Sequence, residues 1–167
     1  IKTAVEMGIQ HLTLYAFSTE NWKRPPEEVN GLLALIDGVL RREVGELNRQ
    51  GVQLRHLGSL ERLGPSTRRA VQEAVDRTRS NQRLIVNIAF NYGGRAELVQ
   101  AARRIVARGL DPEDVTEAVI TSHLSTAGQP DPDLIIRTGG EMRLSNFLLW
   151  QSAYAELYAT DVFWPDF

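Results

Sequence analysis

Two arginines six positions apart, Arg137 and Arg143, with Gly139 and Gly140 between them and Ser145 just beyond, make a set suited to gripping an anion with several oxygens. Guanidinium groups offer planar forks of donors, a hydroxyl adds another, and glycines let backbone run close to a ligand. A diphosphate fits this description. At about 1.5–3 kcal/mol per charge-assisted hydrogen bond, such a set supports micromolar binding after the costs of association. The plainer alternative is a structural arginine paired with Glu141. A second cluster, Ser18, Thr19, Glu20, Asn21, Trp22, Lys23, Arg24 and Pro25, gathers hydroxyls, an amide, an indole and two cations. Its alternative is helix capping, with Trp22 covering a core edge. A third, Asn91-Tyr92-Gly93-Gly94-Arg95, either presents helix N-terminal amides to an anion or makes a tight strand-to-helix turn.

The elements needed to position these clusters are legible from apolar spacing. Residues 11–17 (HLTLYAF), 52–58, 84–90 (LIVNIAF) and 134–138 read as strands, the third apolar enough to be buried on both faces. Over residues 27–50, Val29, Leu32, Leu33, Ile36, Val39, Leu40, Val44 and Leu47 recur at helical spacing, with Pro25 and Pro26 before them and Gly51 after. A second helix spans 66–79. A third follows Gly94, with Leu98, Val99, Ala102, Ile105 and Val106 inward and Gly109 closing it. A shorter one covers 116–124, and the first residues (Ile1, Val5, Met7) read as the end of another. Strands alternating with helices imply an α/β fold with a mostly parallel sheet covered by helices on both faces. Ligands of such sheets bind beyond the carboxyl ends of the strands, where the polar clusters fall.

Composition narrows the function. A chain of 167 residues, 43% hydrophobic and 24% charged, suits one domain that buries roughly 70% of its unfolded surface. A net charge of −2 argues against nucleic acid as the partner and makes any anion site local. The lack of cysteine removes disulfides, thiolate zinc sites and cysteine nucleophiles, and fits a cytoplasmic setting. No apolar run nears the ~20 residues of a membrane span, and no signal-peptide pattern opens the chain. The start at Ile1 inside a helix and the stop at Phe167 read as two cut ends.

The segments LYAFSTENWKRP (14–25), NYGGR (91–95) and IRTGGEMRLSNFLLWQSAYAELY (136–158), in that order and followed by WPDF (164–167), closely resemble the undecaprenyl diphosphate synthase family of cis-prenyltransferases over essentially the whole chain. The resemblance implies a single α/β domain over residues 1–167 around a parallel sheet, lacking the family's N-terminal strand and phosphate loop and its C-terminal tail. It implies a homodimer that uses Mg2+ to add isopentenyl diphosphate to an allylic diphosphate, expected to be farnesyl diphosphate. The products would be undecaprenyl or decaprenyl diphosphate, with peripheral membrane contact for release of the lipid. Carried over by motif, Arg137, Arg143 and Ser145 hold isopentenyl diphosphate with Leu144 alongside, and Glu156 belongs to the metal site. Asn21 is placed at the catalytic step, and Ser18, Thr19, Glu20, Trp22 and Arg24 contact substrate. A neutral amide is a poor base, so a positioning role suits Asn21 better than proton abstraction. Ala16 and Leu84 match tunnel-lining positions, where each added five-carbon unit would gain about 3–4 kcal/mol from apolar burial.

Two departures matter. The family's N-terminal motif, with its magnesium-binding aspartate, has no counterpart here, so the chain as it stands is expected to be inactive. Many members also carry histidine where this chain has Met142, and a thioether neither shuttles protons nor binds magnesium well. His11, His56 and His123 lack metal-ligand spacing and read as structural, and Asp131 and Asp133 flanking Pro132 read as a turn. Competing readings are a trans-prenyltransferase, which requires aspartate-rich DDxxD motifs that are missing, and a non-catalytic accessory subunit of the same fold. A doubly wound phosphate-binding module would need a glycine-rich loop where STENWKRP stands.

Overall fold

In a computed structural model describing residues 1–167, the chain divides into two units, Ile1–Tyr92 and Gly93–Phe167. The first runs α1 (Lys2–Glu6), β1 (His11–Ser18), a 3-10 turn (Thr19–Lys23), α2 (Pro26–Arg49), β2 (Val52–Leu57), α3 (Pro65–Thr78) and β3 (Leu84–Tyr92). Its strands pair in parallel in the order β1-β3-β2. Helices α2 and α3 both begin on a proline, whose missing amide hydrogen costs nothing in a first turn. They pack on one side of the sheet, Val44 and Ala74 meeting Val52, Leu54, Leu84 and Val86. A second cluster nearer the carboxyl ends of the strands joins Phe17, Val29, Leu63, Val71 and Phe90. Val39 is exposed on α2, outside the stripe the spacing assigned to it.

Strands β1 and β3 do not stay in simple register. Tyr15 pairs with Ala89, Phe17 with Phe90 and Ser18 with Tyr92, so Ala16 on one strand and Asn91 on the other are left without a partner. Each is a one-residue bulge, and the two offset each other. Bulges re-aim side chains at the ends of sheets. Here Phe17 turns into the core at 1% exposure while Ala16 faces outward, and Asn91 adopts a left-handed backbone (φ 51°).

The second unit comprises α4 (Gly94–Ala107), a 3-10 turn (Pro112–Asp114), α5 (Glu117–Ser122), β4 (Leu134–Thr138), β5 (Glu156–Thr160) and a last 3-10 turn (Trp164–Asp166). β4 and β5 pair in parallel. The α/β class with parallel strands and helices is thus as read, with one strand more than the spacing announced, because β5 is five residues long and its first three are exposed. The inward face of α4 also differs. Val99 and Val106 are exposed, whereas Glu97, Ala101 and Ile105 are buried. The reason is polar: Glu97 accepts hydrogen bonds from the Ser125 amide (2.8 Å) and from Gln151 Nε2 (3.0 Å), and Gln151, 2% exposed, also donates to Thr126 Oγ1 (2.9 Å). A buried carboxylate needs such donors, and a hydrophobic pattern cannot announce it. No helix is long and apolar enough to cross a membrane.

Candidate substrate site

Each unit carries one of the polar clusters. In the first, Asn21 Oδ1 accepts the Ser18 amide hydrogen at 2.7 Å, closing the turn that ends β1. Thr19 donates to Glu20 (3.0 Å), and Arg24 is ion-paired one helical turn on with Glu28. Trp22 is held from several sides. Its indole donates to Asn91 Oδ1 at 2.7 Å, Phe17 meets it edge-on with centroids 5.1 Å apart, and the Arg62 guanidinium sits 4.4 Å over its ring. Asn91 in turn donates to the Ser59 carbonyl at 2.7 Å. The ends of β1, β2 and β3 are therefore tied together through one bulged asparagine. Sequence reading missed Arg62 and named Asn91 only as part of the 91–95 turn, since neither a bulge nor a stacked guanidinium leaves a periodic trace.

Below this loop, the Tyr15 phenol donates to the Tyr92 carbonyl at 3.3 Å. Burial, with the Glu20 carboxylate close by, pushes its pKa up to about 12, against the pull of the Ser18 hydroxyl. A folded-state value above the unfolded one means that the neutral phenol stabilises the fold fully below pH ~10, and that this stabilisation is lost as pH rises toward about 12. Denaturation midpoints followed between pH 8 and pH 12 are expected to fall above pH ~10, and to fall less steeply in Tyr15→Phe. An equal slope in the two proteins would contradict the assignment. His56, whose pKa burial lowers despite its Nε2 bond to the Phe90 carbonyl (2.8 Å), and His123, bonded through Nδ1 to the Val119 carbonyl (2.7 Å), both serve the fold.

In the second unit, β4 ends with Arg137 and Thr138, and the chain turns on Gly139 (φ 85°) and Gly140 (φ 76°), conformations that favour glycine. Their amides donate to the carbonyls of Val162 (3.0 Å) and Thr160 (2.9 Å), so these glycines fix the turn to the end of β5 rather than serving as anion donors. The turn returns the chain over Arg137. Arg137 donates to Ser145 Oγ at 2.9 Å and to Glu141, while Arg143 donates to Ser145 Oγ at 3.3 Å and to the other Glu141 oxygen at 2.6 Å. The two arginines and the serine converge, and Glu141 stands between the guanidinium groups as their counter-ion, the pairing named as the plainer alternative. Arg143, Met142 and Ser145 are exposed and Leu144 is half-buried beside them.

The segment after Arg143 is strained. Ser145 (φ 48°), Asn146 (φ 63°) and Leu148 (φ 45°) all lie in the left-handed region, which costs of order 1–3 kcal/mol per non-glycine residue. Asn146 meets the start of α4, its carbonyl accepting the Gly94 amide at 2.7 Å and its Oδ1 the Arg95 amide at 2.8 Å. The Gly94 and Arg95 amides are therefore turned on the chain's own asparagine. Sequence reading also missed Asp161, whose carboxylate lies 3.0 Å from where a Cβ on Gly140 would sit.

For Mg2+ the donor set is sparse. No three His, Asp or Glu side chains group to cage a metal, and Glu156 is a single exposed carboxylate opening β5. That suits an ion that takes one or two carboxylates and completes its octahedron with water and phosphate oxygens.

A family model described as "Putative undecaprenyl diphosphate synthase" matches residues 1–167. The chain belongs to this prenyltransferase family. It is 54% identical to the isoprenyl transferase of Geobacillus kaustophilus, over 98% of this chain and 65% of that protein. It is 49% identical to a ditrans,polycis-undecaprenyl-diphosphate synthase, (2E,6E)-farnesyl-diphosphate specific, from Pseudomonas syringae pv. tomato, over 100% of this chain and 68% of that one. The chain thus spans about two thirds of the length of these relatives. Among solved structures it resembles lavandulyl diphosphate synthase from Lavandula x intermedia in complex with dimethylallyl diphosphate, with TM-score 0.95, 38% identity, and coverage of 99% of this chain and 74% of that one.

Proposed function

We propose that the protein carrying this chain is a cis-prenyltransferase that condenses isopentenyl diphosphate with an allylic diphosphate, of which farnesyl diphosphate is the expected primer, to give longer Z-polyprenyl diphosphates. The observation that carries this reading is the convergence of Arg137 and Arg143 on one serine hydroxyl, at 2.9 and 3.3 Å, in a glycine-turned loop at the carboxyl end of β4. A diphosphate reaching that hydroxyl would meet both forks at once. The relatives support the same class of substrate, and one related fold is described with a bound allylic diphosphate.

In the reaction, the double bond of isopentenyl diphosphate attacks the allylic carbon, the carbon–oxygen bond to the allylic diphosphate breaks, and a proton leaves. Arg137, Arg143 and Ser145 hold the incoming diphosphate so that its five-carbon tail is presented in one orientation, which is where most of an entropic advantage arises. Asn21, whose Oδ1 is spent on the Ser18 amide, shapes the turn at the end of β1 and leaves proton removal to a phosphate oxygen. Ser18, Thr19, Glu20, Trp22 and Arg24 belong to that turn and are the substrate contacts carried over from the family motif. Bound Mg2+ would stabilise charge on the departing diphosphate, with Glu156 as its protein carboxylate.

The growing chain needs an apolar path. The candidate walls of one are Leu40, Leu54, Val71, Ala74, Ile88 and Phe90, in the seam between α2, α3 and the sheet, which is closed in this structure and is also lined by Arg55 and His56. Leu84, fully buried, belongs to that seam, whereas Ala16 is exposed and faces away from it. The exposed Tyr154, Phe163 and Trp164 supply apolar surface for the homodimer contact that the family resemblance implies. Incubating the full-length protein with farnesyl diphosphate, isopentenyl diphosphate and Mg2+ is expected to yield extended Z-polyprenyl diphosphates; absence of any extension overturns the enzyme reading.

A further inference from the structure

We infer that Asn146 is a positioning residue for the Arg143–Ser145 diphosphate grip, acting by locking the strained loop onto the first turn of α4. The inference rests on the substrate reading above and extends it to a residue that touches neither substrate nor metal. Three observations carry it. Ser145 sits at φ 48°, a conformation its own side chain does not favour, and Asn146 and Leu148 close by in the chain are left-handed as well. Asn146 is bonded twice to α4, through its carbonyl to the Gly94 amide (2.7 Å) and through Oδ1 to the Arg95 amide (2.8 Å). The opposing surface is shaped to receive it: a Cβ on Gly94 would lie 2.8 Å from Leu149 Cγ and 3.2 Å from the Asn146 carbonyl oxygen.

The consequence is mechanical. Two amide hydrogens that would otherwise be orphans of the helix start are used to anchor the residue next to Ser145. Asparagine suits the task because it tolerates left-handed backbone and carries an acceptor oxygen on a short arm. Leu148, 2% exposed, and Gln151 below it fasten the far end of the loop in the interior of the second unit. Without the anchor, Ser145 is free to relax to negative φ, which swings its hydroxyl away from the point where both guanidinium groups converge. Displacements of that size at a binding group cost up to about a hundredfold in rate or affinity.

The test uses steady-state kinetics of the full-length protein with the two substrates varied separately, alongside thermal unfolding. Asn146→Gly keeps the left-handed backbone and the carbonyl bond to Gly94 but removes the side-chain oxygen that accepts from Arg95; Asn146→Asp keeps an acceptor in place. The expected result is a KM for isopentenyl diphosphate raised about tenfold in Asn146→Gly, with the KM for the allylic substrate unchanged, and near-complete recovery in Asn146→Asp. If the glycine variant fails to fold, Gly94→Ala presses on the same contact from the helix side and should give the same split. A lowered Tm with both KM values unchanged, or equal rises in both, overturns the positioning role. A wild-type protein that does not turn over isopentenyl diphosphate overturns the substrate reading itself, and the inference with it.

Discussion

Replacing Arg143 with alanine in the full-length protein is expected to raise the KM for isopentenyl diphosphate by about 10- to 100-fold, while the KM for the allylic diphosphate stays within about threefold. The range follows from the loss of one or two charge-assisted hydrogen bonds at about 1.5–3 kcal/mol for the first and less for the second, with 1.4 kcal/mol to each factor of ten. Arg143 is the better probe of the pair. Its side chain is 64% exposed and bonds only to Glu141 and Ser145, so its removal leaves the fold of the loop intact. The Arg137 side chain is 28% exposed and also donates to the Arg143 carbonyl (3.4 Å), so truncating it would disturb the turn as well as the ligand. Arg143→Lys should fall between wild type and alanine, because it restores the charge without the fork. Equal rises in the two KM values would remove Arg143 from the isopentenyl site.

The largest expected effect on stability lies at Gly58. Its φ of 119° is closed to other residues, and a Cβ there would stand 2.5 Å from the Phe90 carbonyl oxygen and 2.7 Å from that of Asn91. Neither neighbour can yield, since both belong to the bulged end of β3 that fixes Trp22. Backbone strain and overpacking together predict a loss of about 4 kcal/mol for Gly58→Ala. Urea unfolding should show this as a lowered midpoint at unchanged slope. A change below about 1 kcal/mol would mean that β3 can shift away from the end of β2.

How much of this was legible in the sequence depends on the range of the signal. The helices beginning at Pro26 and Pro65 and the strands at residues 11–18, 52–57 and 84–92 follow from local spacing and from proline chemistry, and they lie within two residues of where reading placed them. The arginine–serine convergence was legible as a motif, with its carboxylate counter-ion named as a rival explanation; the structure shows one arrangement containing both. What escaped reading depends on contacts distant in sequence. Glu97 is buried because Gln151, 54 positions later, supplies a donor, and Asn91 is bulged because Gly58 and Trp22 accommodate it. The left-handed run at Ser145 and Asn146 lacks the glycines that normally announce such backbone, so only coordinates reveal it.

Glu141 gives the arginine pair the character of an ion exchanger. Each guanidinium donates to one oxygen of the same carboxylate, so an anion arriving at the pair competes with Glu141 for part of each fork. A chloride or acetate ion brings one charge and would compete with a carboxylate already tethered beside both forks. A diphosphate presents several oxygens and more than one charge, and it can engage both forks and the Ser145 hydroxyl together. On the substrate reading proposed above, the glutamate would set a threshold that favours a polyanion over monovalent anions.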